Sequence, residues 1–151
     1  MPVPADYDGD GMADIATYFP ASGQWWILQS FDGTLRYAQW GWREAMPVPA
    51  DYDGDGKADL SVYIPSTGTW NILQSHNGSL KQQNWGYYLA AAVPGDYDGD
   101  GQADIATYHP PSGMWFILKS TGGMTQQQWG WIEAVPVLPQ FQINRQFFPS
   151  P

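Results

Sequence analysis

Three copies of one acidic stretch organise this chain. Residues 6–14 read DYDGDGMAD, residues 51–59 read DYDGDGKAD, and residues 96–104 read DYDGDGQAD. Twelve of the thirteen aspartates of the chain lie in these copies. Four carboxylates within nine residues repel one another strongly unless a cation lies among them. Oxygen ligands at alternate positions, separated by glycines that let a loop curl, are typical of a Ca²⁺ site.

The spacing predicts a role for each position of the loop. Aspartates at positions 1, 3, 5 and 9 offer side-chain oxygens. Position 7 differs between the copies, so we expect it to offer its backbone carbonyl and to point its side chain to solvent. About three Ca²⁺ per chain are predicted. The predicted ligands are Asp6, Asp8, Asp10, Met12 and Asp14; Asp51, Asp53, Asp55, Lys57 and Asp59; and Asp96, Asp98, Asp100, Gln102 and Asp104.

The loop resembles the first half of an EF-hand loop, but the residues after it predict a strand. Residues 15–19 are rich in β-formers and run directly into Pro20. Thr17, Val62 and Thr107 stand where an EF-hand has its closing glutamate. The aspartate at position 9 is therefore predicted to close the site. A solvated acidic turn that binds nothing is the alternative, and three copies with identical spacing argue against it.

Composition excludes several classes of function. The net charge of −9 gives no basic patch that could neutralise the phosphates of a nucleic acid. The chain has no apolar run long enough to cross a bilayer, so membrane insertion is not predicted. It has no cysteine and therefore no disulfide or thiol chemistry. Three bound Ca²⁺ would bring the net charge to about −3.

The three acidic stretches begin at Asp6, Asp51 and Asp96, which gives a period of 45 residues. A period near this length is typical of a β-propeller blade made of four short strands. The prediction is an all-β fold: a single repeat domain over residues 1–151, with three four-stranded blades of a β-propeller. The repeats span about 3–47, 48–92 and 93–137, and a tail covers 138–151. In the first repeat, strands are predicted at 15–19, 25–30, 35–42 and 46–50, with no helix.

A β-trefoil is the alternative fold. It also has three repeats of about four strands each, and its lectin versions carry a repeated Gln-x-Trp. Residues 83–85 and 127–129 fit that pattern, whereas residues 38–40 do not.

Comparison of the three repeats separates two groups of aromatic residues. Identical aromatics are predicted to pack between neighbouring blades. These are Trp25, Trp70 and Trp115, and Trp40, Trp85 and Trp129. Positions that vary are expected to face solvent or a groove, where they could contact a ligand. The predicted ligand-binding residues are Trp26, Asn71 and Phe116, and Trp42, Tyr87 and Trp131.

The acidic loop, the short strand after it and the 45-residue period resemble FG-GAP/VCBS repeats over about residues 2–137. Such repeats build Ca²⁺-binding β-propellers, including the head of integrin α-subunits and some lectins. The resemblance implies an extracellular or cell-surface module that is carbohydrate-binding (lectin-like) or adhesive, with a glycan or a cell-surface protein as partner. Those propellers usually have about seven blades, and this chain has three repeats.

Three blades leave two open ends, so a homo-oligomer is predicted: a dimer that closes six blades, or a filament. The alternative function is a purely structural, self-assembling scaffold that is held together by calcium and binds no small molecule. An enzyme is not predicted. The two histidines, His76 and His109, occupy non-equivalent positions, and no Ser-His-Asp or paired-acid arrangement lies outside the loops.

Overall fold

The computed structural model describes residues 1–132 and 134–136. Over these residues the chain is all-β and contains no helix, as predicted. The predicted tail at 138–151 lies outside the described residues. The strands are β1 Ile15–Phe19, β2 Gln24–Leu28, β3 Leu35–Gln39, β4 Met46–Pro47, β5 Leu60–Ile64, β6 Thr69–Leu73, β7 Leu80–Asn84, β8 Ala91–Ala92, β9 Ile105–His109, β10 Met114–Leu118 and β11 Met124–Gln128.

The strands form three antiparallel sheets. Sheet 1 contains β1 to β3, sheet 2 contains β4 to β7, and sheet 3 contains β8 to β11. Strands that are consecutive in sequence are neighbours in each sheet. The edge that β4 and β8 occupy in the other sheets is held in sheet 1 by an isolated bridge between Pro2 and Thr17. The N–H of Val3 donates to the carbonyl of Ala16 at 2.9 Å beside that bridge.

The first predicted strand is correct, and the next two end earlier than predicted. β2 stops at Leu28 because the N–H of Ser30 donates to a carboxylate oxygen of Asp14 at 2.7 Å and leaves the ladder. β3 stops at Gln39 because the N–H of Trp40 turns to the carbonyl of Gly23 at 2.8 Å.

The short strand at the end of each predicted repeat pairs with the sheet of the next repeat. In β4, Met46 pairs with Tyr63 and Pro47 pairs with Val62. The predicted boundary between residues 47 and 48 therefore falls at the end of β4, inside the second sheet. Proline at this edge costs the sheet no ladder bond that a central strand would need.

The sheets stack in sequence order. We call the side of sheet 1 that carries Tyr18, Trp25 and Ile27 its front face, and use the same name for the equivalent side of the other sheets. These three side chains form one core cluster with Leu60 and Val62 on the opposite, rear face of sheet 2. The front face of sheet 2 packs in the same way against the rear face of sheet 3. No closed ring forms among the described residues.

The repeated tryptophans join neighbouring sheets, as predicted. The indole N–H of Trp40 donates to the carbonyl of Asn71 in sheet 2 at 3.5 Å. The indole N–H of Trp85 donates to the carbonyl of Phe116 in sheet 3 at 3.0 Å. Trp25 and Trp70 are fully buried in the cores behind them.

Candidate metal centres

Each acidic loop is closed at its base by backbone pairing. Isolated bridges join Ala5 to Asp14, Ala50 to Asp59 and Gly95 to Asp104. The N–H of Asp14 donates to the carbonyl of Ala5 at 2.8 Å. Because each bridge directly precedes the strand after the loop, all three loops lie at the same end of their sheets.

The first aspartate of each loop organises the turn around itself. The carboxylate of Asp6 accepts the N–H of Gly9 at 2.6 Å and the N–H of Gly11 at 2.8 Å. Both glycines have φ of 86°, in the left-handed region where a side chain is strained. Asp51 and Asp96 accept the equivalent pairs of N–H groups. The loop glycines are therefore required by backbone geometry.

The ninth aspartate anchors the loop from below. Asp14, Asp59 and Asp104 are fully buried. Asp14 accepts the N–H of Tyr7 at 2.9 Å through one oxygen and the N–H of Ser30 at 2.7 Å through the other. Asp59 and Asp104 make the same two bonds in their repeats. This residue therefore ties the loop to the turn between the second and third strands of its sheet.

That turn contributes a serine that the sequence reasoning did not identify. The hydroxyls of Ser30, Ser75 and Ser120 donate to Asp10, Asp55 and Asp100 at 3.0, 2.9 and 2.5 Å. The signal was present, because a serine stands at the same position of each repeat.

Three carboxylates converge in each loop. The groups are Asp6, Asp8 and Asp10; Asp51, Asp53 and Asp59; and Asp96, Asp98 and Asp104. Within each group, one oxygen of every residue lies within 4.8 Å of the others. Ca²⁺ binds oxygens at about 2.3–2.6 Å, so two ligands of one ion lie up to ~5 Å apart. Each group could therefore hold one such ion.

The groups differ in their third member. Asp10 belongs to the first group, whereas the ninth aspartate belongs to the second and third. Asp14, Asp55 and Asp100 were predicted as ligands and lie outside the groups. Asp55 and Asp100 instead accept the serine hydroxyls described above.

One carboxylate oxygen in the third loop lacks a partner. Oδ2 of Asp98 accepts the hydroxyl of Thr121 at 2.5 Å. Oδ1 of Asp98 is buried and has no hydrogen-bond partner among the described residues. A buried charged oxygen without a donor is costly, and a cation would satisfy it.

The environment of the loops shifts two carboxyl groups in opposite directions. Burial raises the pKa of Asp59 to about 6, although the N–H groups of Ser75 and Tyr52 oppose the shift. The N–H groups of Gly101 and Gly99 hold the pKa of Asp96 below its ordinary value. A buried carboxyl group that is costly to ionise becomes less so when a cation lies beside it.

The seventh position of the loop behaves differently from the prediction. Met12 is 56% exposed, as expected. The aliphatic stem of Lys57 instead lies over Gly9 of the preceding loop, and Gln102 lies over Gly54. These side chains therefore bridge neighbouring loops. The role of the three backbone carbonyls as ligands stays a prediction.

The predicted ligand-binding residues fall into two classes. Trp26, Trp42, Tyr87 and Trp131 are 41%, 44%, 55% and 73% exposed. Tyr87 packs against half-buried Phe116, with ring centroids 4.9 Å apart. The prediction that Asn71 faces solvent or a groove is wrong, since it is 3% exposed. It lies on the rear face of sheet 2, which sheet 1 covers.

A cavity of about 410 Å³ lies between the edge strands β4 and β8 and the loops. Its walls include Met46, Pro47 and Pro94, and the first aspartates of the loops lie at its border. The sequence reasoning did not anticipate it.

Comparison with protein-family models, curated proteins and solved structures found no match. No helix long and apolar enough to cross a membrane occurs in the described part of the chain.

Proposed function

We propose that this chain is a calcium-binding repeat module in which each sheet is one blade of a β-propeller. The observation that carries the proposal is the convergence of three carboxylates in each of three equivalent loops. Separate sheets of consecutive strands suit propeller blades better than a trefoil. The cavity beside β4 and β8 would then lie on the propeller axis.

Calcium is the ion that suits these loops best. The three groups offer only oxygen ligands, which excludes a preference for zinc or copper. A flexible glycine-rich loop accommodates Ca²⁺, whereas Mg²⁺ demands near-ideal octahedral geometry.

Calorimetric titration tests the metal assignment. The chain should bind about three Ca²⁺, with dissociation constants on the order of 10⁻⁵ to 10⁻³ M, as in extracellular modules. The double variant Asp53→Asn/Asp55→Asn should lose one of them. Asp32→Asn/Glu44→Gln removes the same charge from exposed positions outside the loops and should still bind three. Binding of fewer than two ions by the unmodified chain would contradict the proposal.

We propose further that the module acts outside the cell and binds carbohydrate, or a cell-surface protein in an adhesive contact. The support is the set of half-exposed aromatic side chains, because aromatic rings with one face in solvent offer stacking surfaces. The pair of Tyr87 and Phe116 spans sheets 2 and 3 and is the best-defined of these surfaces.

A glycan array with labelled chain tests this proposal. Tyr87→Ala and Trp42→Ala should each lower the signal for a bound glycan at least about tenfold, as expected for loss of an aromatic anchor. Tyr88→Ala is the matched control, because Tyr88 is 82% exposed and stacks on no aromatic ring in the described chain. An array without signal would favour a protein partner or the scaffold function.

The scaffold function is the second candidate, and the exposure of the outer sheets favours it. Ile15 and Phe19 on sheet 1 are 71% and 50% exposed, although their equivalents in the other sheets are largely covered. A module that only assembles would use such surfaces for its own copies.

A further inference from the structure

The rear face of sheet 1 is a surface that the chain covers elsewhere. On the rear face of sheet 2, Leu60 and Val62 are 4% and 0% exposed. The equivalent residues of sheet 1 are Ile15, which is 71% exposed, and Thr17, which is also exposed. Sequence type does not explain the difference, since isoleucine is as apolar as leucine. Sheet 2 has a neighbour on that side, and sheet 1 has none among the described residues.

The exposed residues form one continuous apolar surface. Strand register places Ile15 beside Leu28 and Leu35, and Thr17 beside Trp26 and Tyr37. We call this surface the head face. Its large apolar residues, all 41–71% exposed, are Ile15, Phe19, Trp26, Leu28, Leu35 and Tyr37. A contiguous exposed apolar patch on a soluble chain marks an interaction surface.

The other end of the stack shows the complementary defect. Trp40 and Trp85 are half-buried because each lies on the next sheet. Trp129, their equivalent in sheet 3, is 76% exposed. Tyr7 and Tyr52 are buried in their loops, whereas Tyr97 is 42% exposed. We call the surface that carries Trp129, Trp131 and Tyr97 the tail face.

Two hydrogen bonds recur at both internal interfaces and define how the faces fit. The indole N–H groups of Trp40 and Trp85 donate to carbonyls on the second strand of the next sheet. The N–H of Ala58 donates to the carbonyl of Asp6 at 2.6 Å, and the N–H of Ala103 donates to the carbonyl of Asp51 at 2.6 Å. At the ends, the matching groups are Trp129 on the tail face with Trp26 on the head face, and Asp96 with Ala13. Ala13 and Asp96 make no such bond within the described residues.

A third contact repeats between the loops. Lys57 covers Gly9 and Gln102 covers Gly54, whereas nothing in the described chain lies within 4 Å of a Cβ placed on Gly99. Met12, the equivalent of Lys57, is 56% exposed. The head face thus presents an unused side chain, and the tail face presents the glycine that would receive it.

We propose that the head face of one chain docks on the tail face of a second copy of the same chain. The docked pair repeats the internal interface: Trp129 donates to the carbonyl of Trp26 in the second copy, and Ala13 of that copy donates to the carbonyl of Asp96. A head-to-tail contact of this kind is heterologous, and two copies close when the rotation fits. Two contacts then join six sheets in one ring.

A second copy is the occupant because both halves of the interface already exist in this chain. The sheet 1–sheet 2 and sheet 2–sheet 3 interfaces use the same residues in the same register. Aromatic side chains bury about 150–250 Å² each, so the aromatics of the two faces provide on the order of 1,000 Å² per contact. The proposal does not rest on calcium or on a glycan ligand.

Sedimentation velocity of the full chain over a wide concentration range tests the proposal, with Ca²⁺ and with chelator. The chain has a mass of 16.8 kDa, and we expect a species of twice that mass. Thr17→Arg places a charge on the head face, and Trp129→Arg places one on the tail face. Each variant alone should weaken self-association about 30-fold or more, since a charge replaces a central contact. Thr34→Arg and Tyr88→Arg, at exposed positions away from both faces, should associate normally.

Mixing the two variants distinguishes head-to-tail docking from any other dimer. The Thr17→Arg chain keeps an intact tail face, and the Trp129→Arg chain keeps an intact head face. An equimolar mixture should therefore regain a dimer that neither variant forms alone. Circular dichroism and melting of each variant at low concentration show that a lost dimer is not a lost fold.

The outcomes decide between the possibilities. A 16.8 kDa species at every concentration overturns the proposal. A dimer that survives either variant, or a mixture that does not regain it, also overturns the proposal. Loss of the dimer in both variants with recovery in the mixture supports it, whether the unmodified chain stops at two copies or grows further. The calcium titration above is read separately, so a failure of the metal assignment leaves this result interpretable.

Discussion

At the scale of single residues, the acidic loops are built by backbone conformation before any metal binds. Each loop contains two glycines in the left-handed region, and their N–H groups converge on the first aspartate. A fixed turn presents the carboxylates together, although their mutual repulsion opposes it. The loop therefore combines a favourable backbone network with an unfavourable charge cluster.

Gly56→Ala should lower the free energy of unfolding by about 1–2 kcal/mol, the cost of placing a side chain in the left-handed region. Its φ is 86°, and no described atom lies within 4 Å of the new Cβ, so strain is the only cause. Gly95→Ala is the control, because Gly95 lies outside that region and its Cβ would make an ordinary contact with Tyr97 at 3.4 Å. Denaturant unfolding in Ca²⁺ measures both. Equal effects would contradict the role given to Gly56.

At the scale of the secondary-structure elements, the interfaces between sheets carry most of the core. Polar atoms at these interfaces are exceptions. Asn71 is 3% exposed, and its Oδ1 accepts a hydrogen bond from the side chain of Gln82 at 2.8 Å. Its Nδ2 is buried without a partner among the described residues.

Asn71→Leu should raise the free energy of unfolding by about 1 kcal/mol, because it removes an unpaired buried donor and keeps the volume. Asn84→Leu, at an exposed position of the same sheet, should change stability by less than about 0.5 kcal/mol. Thermal melting of the two variants gives the comparison. A clear loss of stability in Asn71→Leu would mean that the amide has a partner such as a bound water or ligand.

At the scale of the whole molecule, three sheets of similar sequence have unequal neighbours. Sheet 2 is covered on both faces, and its strand β5 is buried along most of its length. The equivalent strand β1 alternates between buried and exposed residues. Local stability should therefore be highest in the middle of the chain.

Hydrogen exchange of backbone amides should show this difference at matched positions. Ile27, Ile72 and Ile117 occupy the same place in their sheets. In dilute chain, the amide of Ile72 should exchange about tenfold more slowly than the other two, corresponding to about 1.4 kcal/mol. Uniform rates would contradict the unequal cover described above.

Calcium should stabilise the whole chain. An ion that binds only the folded state adds about 2.7 kcal/mol per site at a hundred times its dissociation constant. A chelator should therefore lower the melting temperature clearly, and Mg²⁺ in place of Ca²⁺ should restore little of it. An unchanged melting curve would show that the loops bind no ion.

The sequence predicted the features that repeat and missed those that depend on a neighbour. The period, the all-β class and β1 were predictable because the loop and the strand after it recur in the chain. The serine of the turn was missed because its bond to the loop spans 20 residues. Asn71 was misjudged because variation between repeats was taken as exposure. In fact each repeat meets a different neighbour there, so one position is exposed in sheet 1 and buried in sheet 2.

The bond from one indole to the next sheet spans 31 residues at both internal interfaces. Because that step is constant, each 45-residue unit carries one half of the interface before it and one half of the interface after it. Gene duplication or unequal recombination that adds or removes a whole unit would leave every remaining interface intact. Chain length in such a protein is therefore free to change in evolution in whole units, and changes of a few residues at a sheet boundary are selected against.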